Sequence, residues 1–154
     1  MRPAWHVAAG IGLGGVIYQV SASWQLASVS AATEVFMDLD HALEHILRSD
    51  RPFCVKTFFS RNNSLDWPKI VFAFHAYEWV IVLAALSAYY DLPVMSAAAL
   101  GAAVHLILDE IGNRRFMSPG HLAAGFYFLS YRLYRRFETK DLIHEAAGYP
   151  RKIN

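Results

Sequence analysis

The sequence is poor in cysteine and in charge. Cys54 is the only cysteine, so an internal disulfide and a Cys-based zinc site are both excluded. Charged residues make up 18% of the 154 residues, compared with roughly 25% in an average soluble domain. The net charge of +1 gives no overall basic field, which argues against nucleic acid as a partner. No repeat or low-complexity segment is present, and the length suits one domain.

The sequence is instead rich in long apolar segments. Hydrophobic residues make up 55% of the chain, and the mean hydropathy is +0.24. Apolar segments at about residues 70–90 and 94–111 flank the turn Asp91-Leu92-Pro93. Each segment approaches the roughly 20 residues that a helix needs to span a bilayer. The pattern therefore predicts a transmembrane helical hairpin.

Two further apolar segments, at about residues 3–20 and 22–37, precede this hairpin. The first contains Gly10 and Gly14, and small residues four apart let membrane helices approach closely. The N-terminus has no clear signal-peptide cleavage pattern, so we expect a retained first helix. Two interpretations stay open for this region: a tight helical hairpin, or one long span followed by an interfacial piece.

Polar segments connect these apolar runs. Residues 38–69 predict a short amphipathic helix at about Leu39–Leu47 and then a surface loop. Residues 121–138 predict a last, interfacial helix with a basic end. The predicted fold is all-α: a polytopic membrane bundle of three to four transmembrane helices with interfacial amphipathic helices. Residues 1–138 would form one membrane-embedded domain, and residues 139–154 a polar C-terminal tail.

The basic residues predict an orientation. The 38–69 segment, Arg114, Arg115 and the arginines after Tyr131 are positive, whereas the Asp91 turn has no Lys or Arg. The positive-inside rule therefore puts the Asp91 turn outside the cytoplasm. We expect an integral protein of a bacterial or archaeal cytoplasmic membrane.

In this predicted topology, eight histidine and acidic residues lie at a similar depth in the membrane, near the cytoplasmic face. They are His6, Asp38, Asp40, His41, His75, Glu78, His105 and Asp109. His105 and Asp109 are four residues apart and share a helix face. Ionisable groups inside a span are costly, so they are candidates for function. Imidazole with carboxylate suits zinc, manganese or iron, and we expect a divalent metal, with zinc favoured.

Plainer interpretations exist for single residues. An isolated histidine such as His75 often makes only a hydrogen bond between helices. Asp38, Asp40, Glu44 and His45 would also suit the solvated face of an amphipathic helix. The combined set from four segments favours a shared metal site, with His6, Asp40, His41, His75, His105 and Asp109 as its ligands.

Four short motifs, in this order, resemble the YdjM-like inner-membrane metal-dependent hydrolase family. They are His6-Val-Ala-Ala-Gly10, Met37-Asp-Leu-Asp-His41, the central Phe74-His-Ala-Tyr-Glu78 and His105-Leu-Ile-Leu-Asp109. The resemblance covers about residues 5–113. The chain departs from the family pattern at Met37, where proline is common, and in the central motif, where a His-Arg-x-x-Thr-His-Ser pattern is replaced.

The resemblance implies hydrolysis by a metal-activated water. Glu78 would be the base, with Asp38 as a second catalytic carboxylate. Asn113, Arg114, Arg115 and Arg132 would bind the substrate, which we expect to be a membrane lipid or another amphiphilic ester or phosphoester. A homo-oligomer stays open. The alternatives are a non-catalytic membrane protein that binds or transports metal, and a haem-binding helical bundle.

Overall fold

The computed structural model describes residues 3–64, 68–116 and 120–145. Helices account for most of these residues. In chain order the elements are α1 (Pro3–Ser21), α2 (Trp24–Phe36), α3 (Leu39–Arg48), α4 (Val55–Ser64), α5 (Tyr77–Tyr90), α6 (Pro93–Phe116), β1 (Gly120–Leu122), α7 (Leu129–Tyr134), α8 (Thr139–Leu142) and β2 (Ile143–Glu145). The prediction of a helical fold therefore agrees with the structure, apart from the short β1–β2 pair.

The first two apolar segments form a hairpin of two separate helices. Ala22 has a φ of 51°, which reverses the chain after α1. Ser23 then caps α2, because its hydroxyl accepts a hydrogen bond from the backbone N–H of Leu26. This local chemistry favours the hairpin over one long span followed by an interfacial piece, because it turns α2 back against α1.

Small residues let α2 pack closely on its neighbours. A Cβ added to Gly14 of α1 would lie 3.1 Å from the carbonyl oxygen of Ala27 in α2. A Cβ added to Gly101 of α6 would collide with the carbonyl oxygen of Ser30. Ser30 itself is fully buried. Close backbone approach at small residues therefore holds α1, α2 and α6 together.

The third apolar segment is helical only from Tyr77, so the prediction of a helix beginning at residue 70 is wrong. Residues 70–76 form an irregular loop in which Ile70 and Phe72 are buried in the core. The Glu44 carboxylate accepts hydrogen bonds from the backbone N–H groups of Val71 and Phe72. These side-chain contacts satisfy buried backbone donors that a helix would otherwise satisfy.

The chain after α6 also differs from the prediction, because residues 121–138 do not form one helix. β1 pairs antiparallel with β2, and α7 is only six residues long. Gly125 lies in the turn before α7, and a Cβ there would collide with the ring of Tyr131. Thr139 and Leu142 are buried. The part of the expected polar tail that the structure describes, up to Glu145, therefore packs on the helical body.

The segment between α2 and α5 agrees with the prediction at its start. The amphipathic helix expected at about Leu39–Leu47 is α3. The expected surface loop contains a further helix, α4, so that part of the prediction is wrong.

One of the described helices is long and apolar enough to cross a membrane. It is the Pro93–Asn113 part of α6, with 21 residues and a mean hydropathy of 1.6. The apolar α5 has only 14 residues. Its shortness follows from the irregular loop before Tyr77. The expected set of three to four spans is thus not confirmed by helix length and composition.

The contact between Gly101 and Ser30 gives a stability prediction. Gly101→Ala should lower the free energy of unfolding by about 1–3 kcal/mol, because the new methyl group overpacks the α2–α6 contact. Gly12→Ala is the matched control, since nothing lies within 4 Å of a Cβ at Gly12. It should leave stability unchanged or raise it by up to about 1 kcal/mol through helix propensity. Thermal unfolding of both variants in the same detergent measures this, and equal midpoints would contradict the packing.

Candidate metal centre

Eight histidine and acidic side chains from separate elements, six of them buried, meet at one end of the bundle. They come from the start of α1, the end of α2, the α2–α3 junction, α3, the loop before α5 and the late part of α6. These residues are His6, Glu34, Asp38, Asp40, His41, His75, His105 and Asp109. The convergence follows from the hairpin topology, because the start of α1 and the ends of α2 and α6 lie at the same end.

Four of these side chains present donor atoms to one point. The group consists of Asp38, His75, His105 and Asp109, and its donor atoms all lie within 4.8 Å of one another. The Nε2 of His75 lies 3.4 Å from Asp38 Oδ1 and 3.7 Å from Asp109 Oδ2. The Nε2 of His105 lies 3.6 Å and 3.9 Å from the same two oxygens. Tetrahedral ligands about 2.1 Å from zinc are about 3.4 Å apart, so the separations fit such an ion.

The orientation of His105 is fixed by a backbone acceptor. Its Nδ1 lies 2.6 Å from the carbonyl oxygen of Glu34, so Nδ1 carries the proton and donates it. Nε2 then presents its lone pair to the Nε2 of His75, 3.1 Å away. Two ring nitrogens at this separation need a proton on His75 or a metal ion between them.

His75 is held in the same way by a carboxylate. Its Nδ1 donates to Asp40, whose oxygens lie 2.9 and 3.0 Å away, which directs Nε2 towards Asp38 and Asp109. Burial alone lowers the pKa of a histidine, but the hydrogen bonds with Asp38 and Asp40 outweigh it and raise the pKa of His75 to about 10. The surroundings of this ring therefore favour a positive charge.

Carboxylates that hold metal-ligating histidines are a common second layer of metal sites. Asp40 holds His75 in this way, and the backbone carbonyl of Glu34 does the same for His105. Burial alone would raise the pKa of Asp40, yet the hydrogen bond with His75 and the nearby imidazoles lower it below its usual value. The pKa of Asp38 is lowered for the same reasons. Both acids are therefore ionised at neutral pH.

His6 and Glu34 extend the cluster on the α1 side. His6 lies 2.9 Å from Glu34 Oε1 through Nδ1 and 3.2 Å from Asp109 Oδ1 through Nε2. The second oxygen of Glu34, Oε2, is buried and has no hydrogen-bond partner among the described residues. A buried carboxylate oxygen without a partner is costly unless a cation or a water satisfies it. His6, Glu34 and His105 form a second group of possible ligands that overlaps the first.

His41 belongs to a third group with Asp40 and His75. Its ring packs on Phe72, and its Nε2 lies 3.7 Å from Asp38 Oδ1. Burial, and after it the charge of His75, lower the pKa of His41 to about 4. His41 is therefore neutral at physiological pH, the state that metal ligation requires.

These observations fit a divalent cation. The protein has buried groups of histidine and acidic side chains close enough to hold one. Their donor atoms are imidazole nitrogens and carboxylate oxygens, without sulfur, which suits zinc, manganese or iron. The carboxylates of Asp38 and Asp109 need a positive charge nearby, and Glu34 Oε2 lacks a hydrogen-bond partner among the described residues. Both observations are physical reasons to expect a cation at this site.

Glu78 lies outside these donor groups. Its two oxygens accept hydrogen bonds from the backbone N–H groups of Leu129 and Ser130 and from the Ser130 hydroxyl, at 2.7–3.0 Å. Glu78 thus fixes the beginning of α7 against α5. Asp38, the second residue expected to be catalytic, lies within the first donor group.

Among the four expected substrate-binding residues, the structure describes the side chains of Asn113 and Arg132. Asn113 donates to the Tyr127 hydroxyl at 2.7 Å. Arg132 is fully buried and donates through Nη2 to the carbonyl oxygen of His75 at 2.8 Å. It therefore supports the backbone that carries His75. The side chains of Arg114 and Arg115 lie outside the described residues.

Sequence reasoning missed two acids. Glu34 is the acidic residue of the apolar segment 22–37, and the rule that an ionisable group within an apolar helix needs a partner would have identified it. Glu44 was interpreted as part of a solvated face. It is buried and ties the 70–76 loop to α3, a role that follows from tertiary contacts and leaves no sequence pattern.

The contact between Asp40 and His75 gives a prediction for metal binding. Asp40→Ala should weaken zinc binding about 10–100-fold, because His75 loses the carboxylate that fixes its ring and raises its basicity. Asp40→Asn, which keeps an oxygen acceptor, should lose less. Asp50→Ala removes an exposed carboxylate outside the cluster and is the control. Competition with a chelating dye measures the affinities. If Asp40→Ala binds zinc as tightly as Asp50→Ala, the assigned role of Asp40 is wrong.

A scan against protein-family models, a search of curated proteins and a search of solved structures each return no match for this chain.

Proposed function

We propose that the protein is a membrane-embedded, metal-dependent hydrolase that acts on an amphiphilic ester or phosphoester. The observation that carries this proposal is a buried donor group with one exposed member. The side chain of Asp38 is 33% exposed, whereas those of His75, His105 and Asp109 are at most 4% exposed. A substrate and a water would therefore reach the group beside Asp38.

Three of the donors would hold the ion, and the fourth would remain for chemistry. His75 and His105 through Nε2, with Asp109 through Oδ2, make a set of two histidines and one carboxylate. Catalytic zinc sites commonly combine three such protein ligands with one open position. A divalent ion bound there would lower the pKa of a water towards neutrality and make it a nucleophile.

Asp38 is the general base in this proposal. It is ionised, partly exposed and 3.4–3.6 Å from the two Nε2 atoms, so a water beside the donor group would be within its reach. Asp38 would accept the proton of the attacking water and pass it to the leaving group. Glu78, the base expected from the sequence, is already engaged by the start of α7.

Exposed apolar side chains support the placement in a membrane. On α1, Ile11, Val16 and Val20 are 62–84% exposed. Ile81 of α5 and Ile111 of α6 are also exposed. Soluble monomers rarely expose contiguous apolar surface of this kind, whereas lipid would cover it. We accordingly place α1, α5 and α6 in the bilayer, with the donor group near the cytoplasmic face.

The experiment uses the full chain in lipid nanodiscs loaded with zinc. Hydrolysis of p-nitrophenyl dodecanoate and of a dodecyl p-nitrophenyl phosphodiester is measured beside the zinc content. His105→Ala should lose both zinc and activity. Asp38→Asn should keep its zinc and lose about 10²–10⁴-fold in kcat, because the base is removed. Asp50→Asn, an exposed carboxylate change, should behave as the wild type.

The result has two informative failures. A wild-type chain without stoichiometric zinc would overturn the metal site. A chain that holds zinc but hydrolyses neither ester faster than His105→Ala would overturn the hydrolase.

A further inference from the structure

An apolar groove of about 340 Å³ lies among α2, α5 and α6. It is lined by side chains of α2, the 70–76 loop, α5 and α6, among them Thr33, Met37, Phe74, Trp79, Leu83 and Ala102. The Thr33 hydroxyl is the only polar side-chain group of these six apart from the Trp79 N–H. That N–H donates to the carbonyl oxygen of Ala73 at 2.8 Å, which holds the indole ring in place. This hydrogen bond fixes the Trp79 part of the groove wall.

The groove and the donor group share their backbone. Thr33 precedes Glu34, Met37 precedes Asp38 and Phe74 precedes His75. In each of these three pairs, the first residue lines the apolar groove and the second belongs to the polar cluster. Asp38, the exposed member of the donor group, follows the groove residue Met37. A chain in the groove that extends past Met37 would come to the partly exposed side of the donor group.

We propose that this groove holds the hydrocarbon chain of the substrate while the polar ester or phosphoester group lies at Asp38. The inference rests on the proposed function and specifies its substrate: an amphiphile with one medium-length chain at the scissile end. Apolar walls favour such a chain, because each buried methylene improves binding up to about fourfold. A charged or sugar-like group would lose its water without gaining a partner in the groove.

The size of the groove limits the chain. A volume of about 340 Å³ holds roughly ten groups of the size of water, at about 30 Å³ each. A methylene is of similar size, so the groove walls would cover about ten carbons, and affinity should rise with chain length over that range.

Trp79 provides a reporter of chain binding that does not depend on catalysis. In a variant with Trp5→Phe, Trp24→Phe and Trp67→Phe, Trp79 is the single tryptophan. Fatty acids brominated at their last carbon quench tryptophan fluorescence on contact. 3-Bromopropionic, 6-bromohexanoic and 11-bromoundecanoic acid are titrated into this variant in nanodiscs. A second variant that keeps Trp24 alone, which is 70% exposed on α2, measures quenching from the lipid phase.

The expected result is saturable quenching of Trp79 that strengthens at least tenfold in affinity from three to eleven carbons, with only weak, unsaturable quenching of Trp24. Leu83→Phe narrows the groove and should weaken binding of the eleven-carbon acid at least fivefold. Ile81→Phe, a matched change on an exposed face of α5, should leave it unchanged.

The outcomes separate this inference from the proposed function. Equal quenching of Trp79 and Trp24, or equal effects of Leu83→Phe and Ile81→Phe, would overturn the groove. The titration is repeated after zinc removal by a chelator, so that chain binding is measured apart from catalysis. Specific chain binding without hydrolysis would support the groove as a chain-binding site and reject the hydrolase. Hydrolysis whose rate does not change with chain length or with Leu83→Phe would support the hydrolase and reject the groove as its chain-binding site.

Discussion

Neutralisation of buried carboxylates is the constraint on which the polar end of this bundle depends. The buried acids are Glu34, Asp40 and Asp109, and the imidazoles of His6, His75 and His105 lie against them. Buried charge is costly unless it is paired. An imidazole can supply positive charge only by taking a proton or by ligating a cation. Folding of this end is therefore coupled to whichever cation lies among the rings, and a bound metal would stabilise it.

The irregular loop at residues 70–76 depends on one of these acids, Asp40, and on a further buried acid, Glu44. Glu44 accepts the backbone N–H groups of Val71 and Phe72, and Asp40 accepts that of Phe74. Arg132 donates to the carbonyl oxygen of His75. The loop is thus held by side chains in addition to a few backbone hydrogen bonds, such as that from Ile70 N–H to the carbonyl oxygen of Phe137. Because Asp40 binds both the loop backbone and the His75 ring, the position of the loop and the direction of Nε2 are set together.

The sequence predicted the parts of the molecule that depend on local pattern. The length of the fourth apolar segment predicted α6, and the amphipathic spacing of residues 39–47 predicted α3. The four-residue spacing of His105 and Asp109 placed both on one helix face. Interactions between distant residues were not predictable in this way. The break before Tyr77 depends on Glu44, about 30 residues earlier, and the β1–β2 pair joins residues more than 20 apart. The metal hypothesis used residue types and topology, so it found most of the cluster but not Glu34.

Helix packing and site geometry are linked through one face of α6. Gly101 and His105 are four residues apart on that face, and Ser30 and Glu34 are four apart on the facing side of α2. Gly101 lies against the Ser30 backbone, and one turn further His105 Nδ1 reaches the Glu34 carbonyl at 2.6 Å. A side chain can bond a main-chain carbonyl of a neighbouring helix only where the two backbones are close. The small residue at position 101 therefore sets the helix separation that fixes the His105 tautomer, and through it the lone pair available to a metal.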